Sequence, residues 1–396
     1  MGTIIGCDFH PSYQQIAMLD TATGEMSEKT LRHEGEEVRA FYAALAGPVR
    51  VGIETSGQSQ WFERMLAELG HEVWIGDAAK IRTCADRKQK TDRRDAALLL
   101  QLLMEERFPR IWVPTPGQRD TRQLLLHRYK LVRLRVQVKN QLQALALNQG
   151  VRRGRKLWSE AGRKQLQALP LLPWAARRRE ELLKLLDQLG ESIAALDQAV
   201  MNEAWARPAA RQLMTHPGVG PVTALAFVLT LGPVSRFPRG KQVASYFGLI
   251  PSEHSSGGRQ RLGHISKQGS SFVRGLLVEA AQSAVRHDSL RKNSKSCHPE
   301  RSEESAFTEN KADSSPRQKP PRFGMTSFGL FPQTDEPELR RQYQRLSHRR
   351  FRALAKVAIA RKLAVRLYWM LRRNLDYTQL IQGSHAGQPE SFCGRS

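Results

Sequence analysis

Three extended runs in close succession, followed by alternating helical and extended patterns, fill the first 110 residues, and few folds accept that order. The first run, Thr3-Ile4-Ile5-Gly6-Cys7-Asp8, is apolar and β-branched until it closes on an acid. Gln15-Ile16-Ala17-Met18-Leu19 and the stretch Glu28-Lys29-Thr30-Leu31 read as two further strands, with Thr21-Ala22-Thr23-Gly24 as the turn between them. Helical patterns cover about 35–46 and 60–69 on either side of Val49-Arg50-Val51-Gly52-Ile53-Glu54, and Glu72-Val73-Trp74-Ile75 reads as a fifth strand. A hairpin-joined trio of strands leading into strand–helix alternation predicts an α/β sandwich around a mixed sheet.

That order matches the ribonuclease H-like layout, and the ends of its strands carry the chemistry. Asp8 and Glu54 each close a buried run, where the last side chain emerges at the sheet's edge. Asp92 and Asp95 open the amphipathic stretch that begins at Thr91, and their i,i+3 spacing puts them on one face of its first helical turn. Taken singly, each acid is equally at home as a helix-start residue favoured by the macrodipole or as a strand-end turn residue. Four together are costly unless a positive charge sits among them, and hard divalent cations prefer such oxygen ligands. Two Mg²⁺ ions held by Asp8, Glu54, Asp92 and Asp95 would suit an in-line phosphoryl displacement.

Charge points to the same substrate class. Lys and Arg number 62 against 38 Asp and Glu, a formal charge of +24, and a surface that basic gains affinity for nucleic acid by releasing condensed counterions. The four cysteines, Cys7, Cys84, Cys297 and Cys393, show no metal-ligand spacing and read as reduced thiols. No apolar run approaches the roughly 18 residues that span a bilayer, and Met1 leads directly into a strand, so the expected location is the cytoplasm.

Beyond residue 112 the pattern becomes helical. Residues 117–149 carry Leu131, Leu134, Val138, Leu142 and Leu145 at three- and four-residue steps, and eleven Lys and Arg stand against the single acid Asp120 between 117 and 158. A second helix, from about Trp174 to Ala206, could pair with the first antiparallel; coiled-coil dimerisation and nucleic-acid contact through Arg128, Arg135 and Lys139 are compatible readings of the pair. Between two later helical patterns, His216-Pro217-Gly218-Val219-Gly220-Pro221 resembles the turn of a helix-hairpin-helix unit, in which Gly218 and Gly220 would let backbone N–H groups approach a phosphate. Residues 291–335 are rich in Ser, Pro and charge without periodicity and read as a disordered insertion. Helical periodicity returns at Glu338-Leu339 and runs through Leu371.

With these residues laid out, the chain resembles the DEDD-type transposases of bacterial insertion sequences, the family related to the Piv DNA invertase. The resemblance covers residues 1–290 and about 336–378, and four blocks carry it: Ile5-Gly6-Cys7-Asp8, Gly52-Ile53-Glu54-Thr55-Ser56-Gly57, Lys90-Thr91-Asp92-Arg93-Arg94-Asp95-Ala96, and Phe247-Gly248-Leu249-Ile250-Pro251 through Gly263-His264-Ile265-Ser266-Lys267-Gln268-Gly269. It implies a RuvC-like nuclease domain over 1–112, a basic helical region over 113–207, a mainly helical C-terminal transposase domain over 208–290 and 336–378, and a disordered tail over 379–396. It also implies a serine nucleophile, matched to Ser256, although Ser255 and Ser252 stand close by; a hydroxyl among glycines has little steric cover. Arg259, Arg261, Lys267 and Arg274 would then be phosphate contacts beside it. The partners implied are double-stranded DNA, a structured RNA encoded by the element and further copies of the chain as a dimer or tetramer. A junction-cutting nuclease using water, and a copy that binds nucleic acid without catalysis, are the rival readings.

Overall fold

The computed structural model describes residues 2–84, 91–152, 154–286, 337–349 and 351–385. The segment read as an insertion, Lys90, Cys297, Cys393 and the tail beyond 385 lie outside the described residues. The chain forms two compact units, Met1–Pro114 and Thr115–Ser396.

The first unit is built on a five-stranded mixed sheet in the order β3-β2-β1-β4-β5. Its strands are β1 (Thr3–Phe9), β2 (Tyr13–Asp20), β3 (Met26–Arg32), β4 (Val49–Glu54) and β5 (Glu72–Gly76), interleaved with helices α1 (Glu37–Ala43) and α2 (Gln60–Glu68). β1 pairs antiparallel with β2 and parallel with β4, and β4 pairs parallel with β5. This mixed sheet, with many helices after it, is consistent with the RuvC-like start expected from the strand order. A short helix, α3 (Ala78–Thr83), was not foreseen; Asp77 caps it by accepting from the N–H groups of Ala79 and Lys80.

Period-two alternation sorts the side chains of β1 to two faces. Ile5 and Cys7 join Val51, Ile53, Tyr42, Phe62 and Leu66 in a core beneath α1 and α2. Ile4 faces the other way, with Ala96, Leu99 and Leu100 of α4 (Asp92–Met104). Gly6 shares that second face, and a Cβ there would lie 2.3 Å from both the Ala96 carbonyl oxygen and the Leu100 nitrogen. Only a residue without a side chain lets the helix backbone come this close, and the contact fixes how near the start of α4 lies to the end of β1. Gly6→Ala should therefore destabilise the first unit by about 1–3 kcal/mol, the usual cost of overpacking. A thermal midpoint equal to wild type would show that the helix has room to shift.

The second unit is helical. α5 (Pro116–Asn148) and α7 (Pro173–Ala206) run antiparallel, since Thr121 meets Arg207, Arg128 meets Asp197 and Gln141 meets Arg178. Between them lies α6 (Glu160–Gln167). Their shared core holds Val132, Val138, Leu142 and Ala146 against Leu183, Leu186, Leu189 and Ile193. Leu134, placed on the seam by spacing alone, is instead 46% exposed, because the buried stripe passes through Val132 and Val138.

A larger core gathers α8 (Pro208–Met214), α9 (Pro221–Leu231), α10 (Gly240–Tyr246), α11 (Ser271–Arg286), α12 (Pro337–Arg349) and α13 (Arg352–Arg373), and it also takes in Leu125 of α5 with Val200 and Ala204 of α7. The ends of the long helices thus share one core with the later segment, with no boundary at 207. The serine block forms a small hairpin, β6 (Pro251–Glu253) with β7 (Leu262–Ile265). Past 378, where a disordered tail was expected, α14 (Tyr377–His385) follows a left-handed turn at Asn374. Its Tyr377 and Leu380 are buried in the large core, which gives these residues a reason to be ordered. Among the described residues no helix is long and apolar enough to cross a membrane.

Candidate functional site

The end of β1 and the start of α4 meet in an acidic corner. Asp8 shares a sheet face with Gly6, and the close approach at Gly6 brings the first turn of α4 over it. Thr91 caps that helix, its hydroxyl accepting from the Arg94 N–H, which leaves the carboxylates of the first turn for other partners. His10 Nε2 lies 3.1 Å from Asp8 Oδ2 and 3.6 Å from Asp92 Oδ1. One ligand atom from each of Asp8, His10 and Asp92 falls within 4.8 Å of the other two. The Tyr13 hydroxyl donates to Asp92 Oδ2 at 2.6 Å, and its ring stacks on His10 with centroids 4.7 Å apart, so Asp92 is held from the side.

Burial pushes the Asp8 carboxyl above the usual carboxylate range; His10 pulls it back, and Asp95 and Asp92 add to the rise. Asp95 is therefore close enough to act on Asp8 electrostatically. Hydrogen bonding to Asp92 likewise raises the Tyr13 phenol and keeps it a donor.

Glu54 arrives from the neighbouring strand. The parallel register pairs Cys7 with Ile53, so Asp8 and Glu54 are the next residues on two adjacent strands. Gly52 has a cramped Cβ position against Leu103 and Phe108, which puts Glu54 on the α4 side of the sheet as well. Its carboxylate lies 3.5 Å from an Arg82 guanidinium nitrogen. Glu54 and Asp95 stand outside the trio of mutually close ligand atoms, so the structure gathers two of the four expected carboxylates tightly. His10 and Tyr13 were missed from sequence. The signal was present, since His10 is two residues from Asp8 and Tyr13 opens the next strand across the tight turn Pro11-Ser12.

In the second unit, Ser256 sits at the tip of the β6–β7 hairpin. Gly257 and Gly258 both have positive φ, 58° and 74°, the backbone a type I′ turn demands, and the Arg259 N–H donates to the Ser256 carbonyl. The neighbouring serines are engaged. Ser255 donates to Glu253 Oε1 at 2.6 Å and accepts from the Arg261 N–H, while Ser252 donates to the His264 carbonyl. Ser256 is exposed, and its hydroxyl has no hydrogen-bond partner among the described residues.

The expected phosphate contacts divide into two groups. Arg259, Arg261 and Lys267 are exposed around the hairpin. Arg274 instead donates to the carbonyls of Phe247 and Gln268, clipping the serine block onto α11. Arg128 is spent on Asp197 in a pair whose side chains are each 12% exposed. Arg135 and Lys139 are half-buried, with burial lowering both pKa values, and Lys139 lies over the Trp158 ring at 4.9 Å. Arg128 is thus committed inside the helix pair, while Arg135 and Lys139 are only partly withdrawn from solvent. Gly218 has φ +81° and a Cβ position 2.6 Å from the Ala280 carbonyl, so close packing on α11 already requires a glycine there; nothing crowds Gly220, the N-cap of α9. Beside this turn His216 is buried, and desolvation lowers its pKa to about 3, keeping the ring neutral.

Comparison with known proteins covers all but the start of the first unit and reaches into the second. A DEDD transposase model of the IS110 group matches residues 5–149, and a model described as "Transposase IS116/IS110/IS902 family" matches 210–295. The "Probable family 20 transposase" of Pseudomonas aeruginosa is 29% identical over 288 residues, 71% of this chain and 84% of the relative. The transposase for insertion sequence element IS1111A of Coxiella burnetii is 27% identical over 63% of this chain and 70% of its own length. The transposase for IS1328 of Yersinia enterocolitica is 28% identical over 61% and 72%. An acidic corner on a mixed sheet, joined to a helical unit with these matches, defines an insertion-sequence transposase, a class of enzyme that cuts and recombines DNA. The chain belongs to the IS110/IS116/IS902 transposase family.

Proposed function

We propose that the chain is the recombinase of its own insertion sequence, cutting and rejoining DNA through a divalent-cation site in the first unit and a serine nucleophile in the second. The observation that carries this reading is the convergence of Asp8, Asp92 and His10 within one ligand sphere, in a chain of this family. The donors fit a hard cation: two carboxylates with one imidazole beside them, and Glu54 and Asp95 would have to move inward to add further oxygen ligands. Mg²⁺ bound there would stabilise charge developing on the oxygens of a phosphodiester under displacement. Tyr13 fixes the rotamer of Asp92, and Thr91 caps the helix that carries it.

Ser256 Oγ would form the new bond to phosphorus while a deoxyribose oxygen leaves, giving a phosphoserine link that a second strand's hydroxyl later reverses. Its freedom from internal hydrogen bonds supports it over Ser252 and Ser255. Arg259, Arg261 and Lys267 would hold the flanking phosphates. The excess of basic residues supports a structured RNA as second partner, recognised by shape and phosphate, and a homo-oligomer would bring several such hairpins to two duplexes.

Asp8 makes the cation site testable without catalysis. Its raised pKa means that the folded state holds the proton more tightly than the unfolded chain does, so metal-free stability falls as pH rises from the ordinary carboxylate value through the raised one. Mg²⁺ should offset that loss and raise the thermal midpoint at neutral pH. In Asp8→Asn the metal-free midpoint should equal or exceed wild type, and the response to Mg²⁺ should disappear. A variant that still responds like wild type places the cation elsewhere.

A further inference from the structure

We infer that the face of the sheet opposite the carboxylates carries a pocket for one unpaired nucleobase, centred on Trp61. The inference rests on the transposase reading for its nucleic acid and on the pocket's own geometry for everything else. Phe9 follows Asp8 in β1, so alternation sends its ring to the far side of the same strand end. There it meets His33 at 4.9 Å, Trp61 at 5.9 Å and Phe62 at 5.5 Å between ring centroids. Trp61 also contacts His33 edge-on at 4.9 Å, and it remains 37% exposed although three rings hold it. An open groove of about 390 Å³ lies beside it, its lining made of His33, Val38, Trp61 and Met65 with two cations, Arg39 and Arg64, and two acids, Glu36 and Glu68, among others. That volume is within the range of small-ligand pockets, roughly 300–1,000 Å³.

The lining suits a base with its phosphate. A rigid, half-exposed indole is a stacking surface for any base, and Met65 supplies an apolar floor. Arg39 is tied to Glu68 at 3.1 Å, whereas the exposed Arg64 has no partner among the described residues and can reach a phosphate. The position explains the use. A strand crossing the end of β1 would present a phosphodiester to Asp8 and Asp92 on one side, and a neighbouring base turned out of its stack would be received on the other. Enzymes that do chemistry on a base turn the nucleotide out of its stack in this way, and the same movement would here anchor the strand. Capture by Trp61 would hold the phosphodiester in register over the carboxylates.

The test uses the full chain without Mg²⁺, so that binding is read apart from cleavage. Single-stranded DNA and RNA oligonucleotides of one sequence, each carrying a single 2-aminopurine, are titrated beside the fully paired DNA duplex. Trp61→Leu should weaken single-strand binding roughly tenfold and abolish the quenching of 2-aminopurine, with duplex binding unchanged. Trp61→Phe should restore most of both, because it keeps a ring. Arg64→Ala should weaken single strands without restoring fluorescence. Tighter binding of the RNA strand would assign the base to an RNA partner, and equal or tighter binding of DNA to the strand being cut. Unchanged single-strand affinity and quenching in Trp61→Leu, at an unchanged thermal midpoint, overturns the pocket and leaves the cation site standing. Loss of Mg²⁺-dependent cleavage in the wild type would remove the catalytic reading and leave this measurement intact.

Discussion

Asp92→Asn should lower Mg²⁺-dependent strand cleavage at least about a thousandfold, because a charge-stabilising site is worth several kcal/mol at the reacting phosphate and each 1.36 kcal/mol is tenfold in rate. The substitution is nearly isosteric. An amide oxygen can still accept from the Tyr13 hydroxyl, which now lies 2.6 Å from Asp92 Oδ2, so the start of α4 should keep its place. What changes is the charge available to a cation. Asp8→Asn should behave in the same way from the strand side, where the carboxylate is only 13% exposed and has His10 as its hydrogen-bond partner. DNA affinity in both variants should stay within a few-fold of wild type, since the basic surface that holds phosphates is untouched. Cleavage at the wild-type rate in either variant would remove the carboxylates from the chemistry. A parallel loss of DNA binding would mean that the corner shapes the DNA-binding surface instead.

The parts of this site that sequence reveals are those set by local periodicity. Asp8 and Glu54 close β-branched runs, and a run buried on both faces leaves its final polar residue at the sheet's edge. Asp92 and Asp95 follow a threonine N-cap, which marks where their helix begins. The contact that joins these pieces is different in kind. It depends on Gly6 against the backbone of α4, ninety residues onward, and a lone glycine in a strand does not announce which element will press on it. His10 and Tyr13 escaped for a related reason. They belong to a turn whose geometry, more than its composition, points them back at Asp8 and Asp92.

Positive charge misleads in the opposite direction. Arg128 and Arg274 look like phosphate ligands in a chain of charge +24, but one guanidinium is paired with Asp197 and the other with two main-chain carbonyls. Sequence counts cations without saying which are already spent. The long helices illustrate the same limit for apolar residues. α5 carries leucines on several faces, and only packing against α7 decides that Val138 and Leu142 are buried while Leu134 is not. Strands of three and four residues, β6 and β7, are too short to show alternation, so the serine block reads as a loop until its hairpin is seen.

That hairpin makes the final expectation sharp. Ser256→Ala should abolish the denaturant-resistant protein–DNA adduct, a loss of several orders of magnitude, as expected when a covalent nucleophile is removed. Ser255→Ala should leave the adduct but reduce it. The Ser255 hydroxyl ties Glu253 to the Arg261 N–H across the base of the turn, so its removal loosens the tip without deleting the reacting atom. Folding should be indifferent to the first change, since Ser256 is exposed and contributes only its carbonyl to the hairpin. Gly257 and Gly258 offer a separate handle. Each holds a positive φ that alanine tolerates poorly, so a double alanine variant should misplace Ser256 and lose the adduct while the hydroxyl is still present. If the adduct persists in Ser256→Ala and disappears in Ser255→Ala, the nucleophile is the serine now bonded to Glu253, with that carboxylate placed to take its proton. If it persists in both, the covalent link is made by another residue, and the exposed hairpin acts only as a nucleic-acid contact through Arg259 and Arg261.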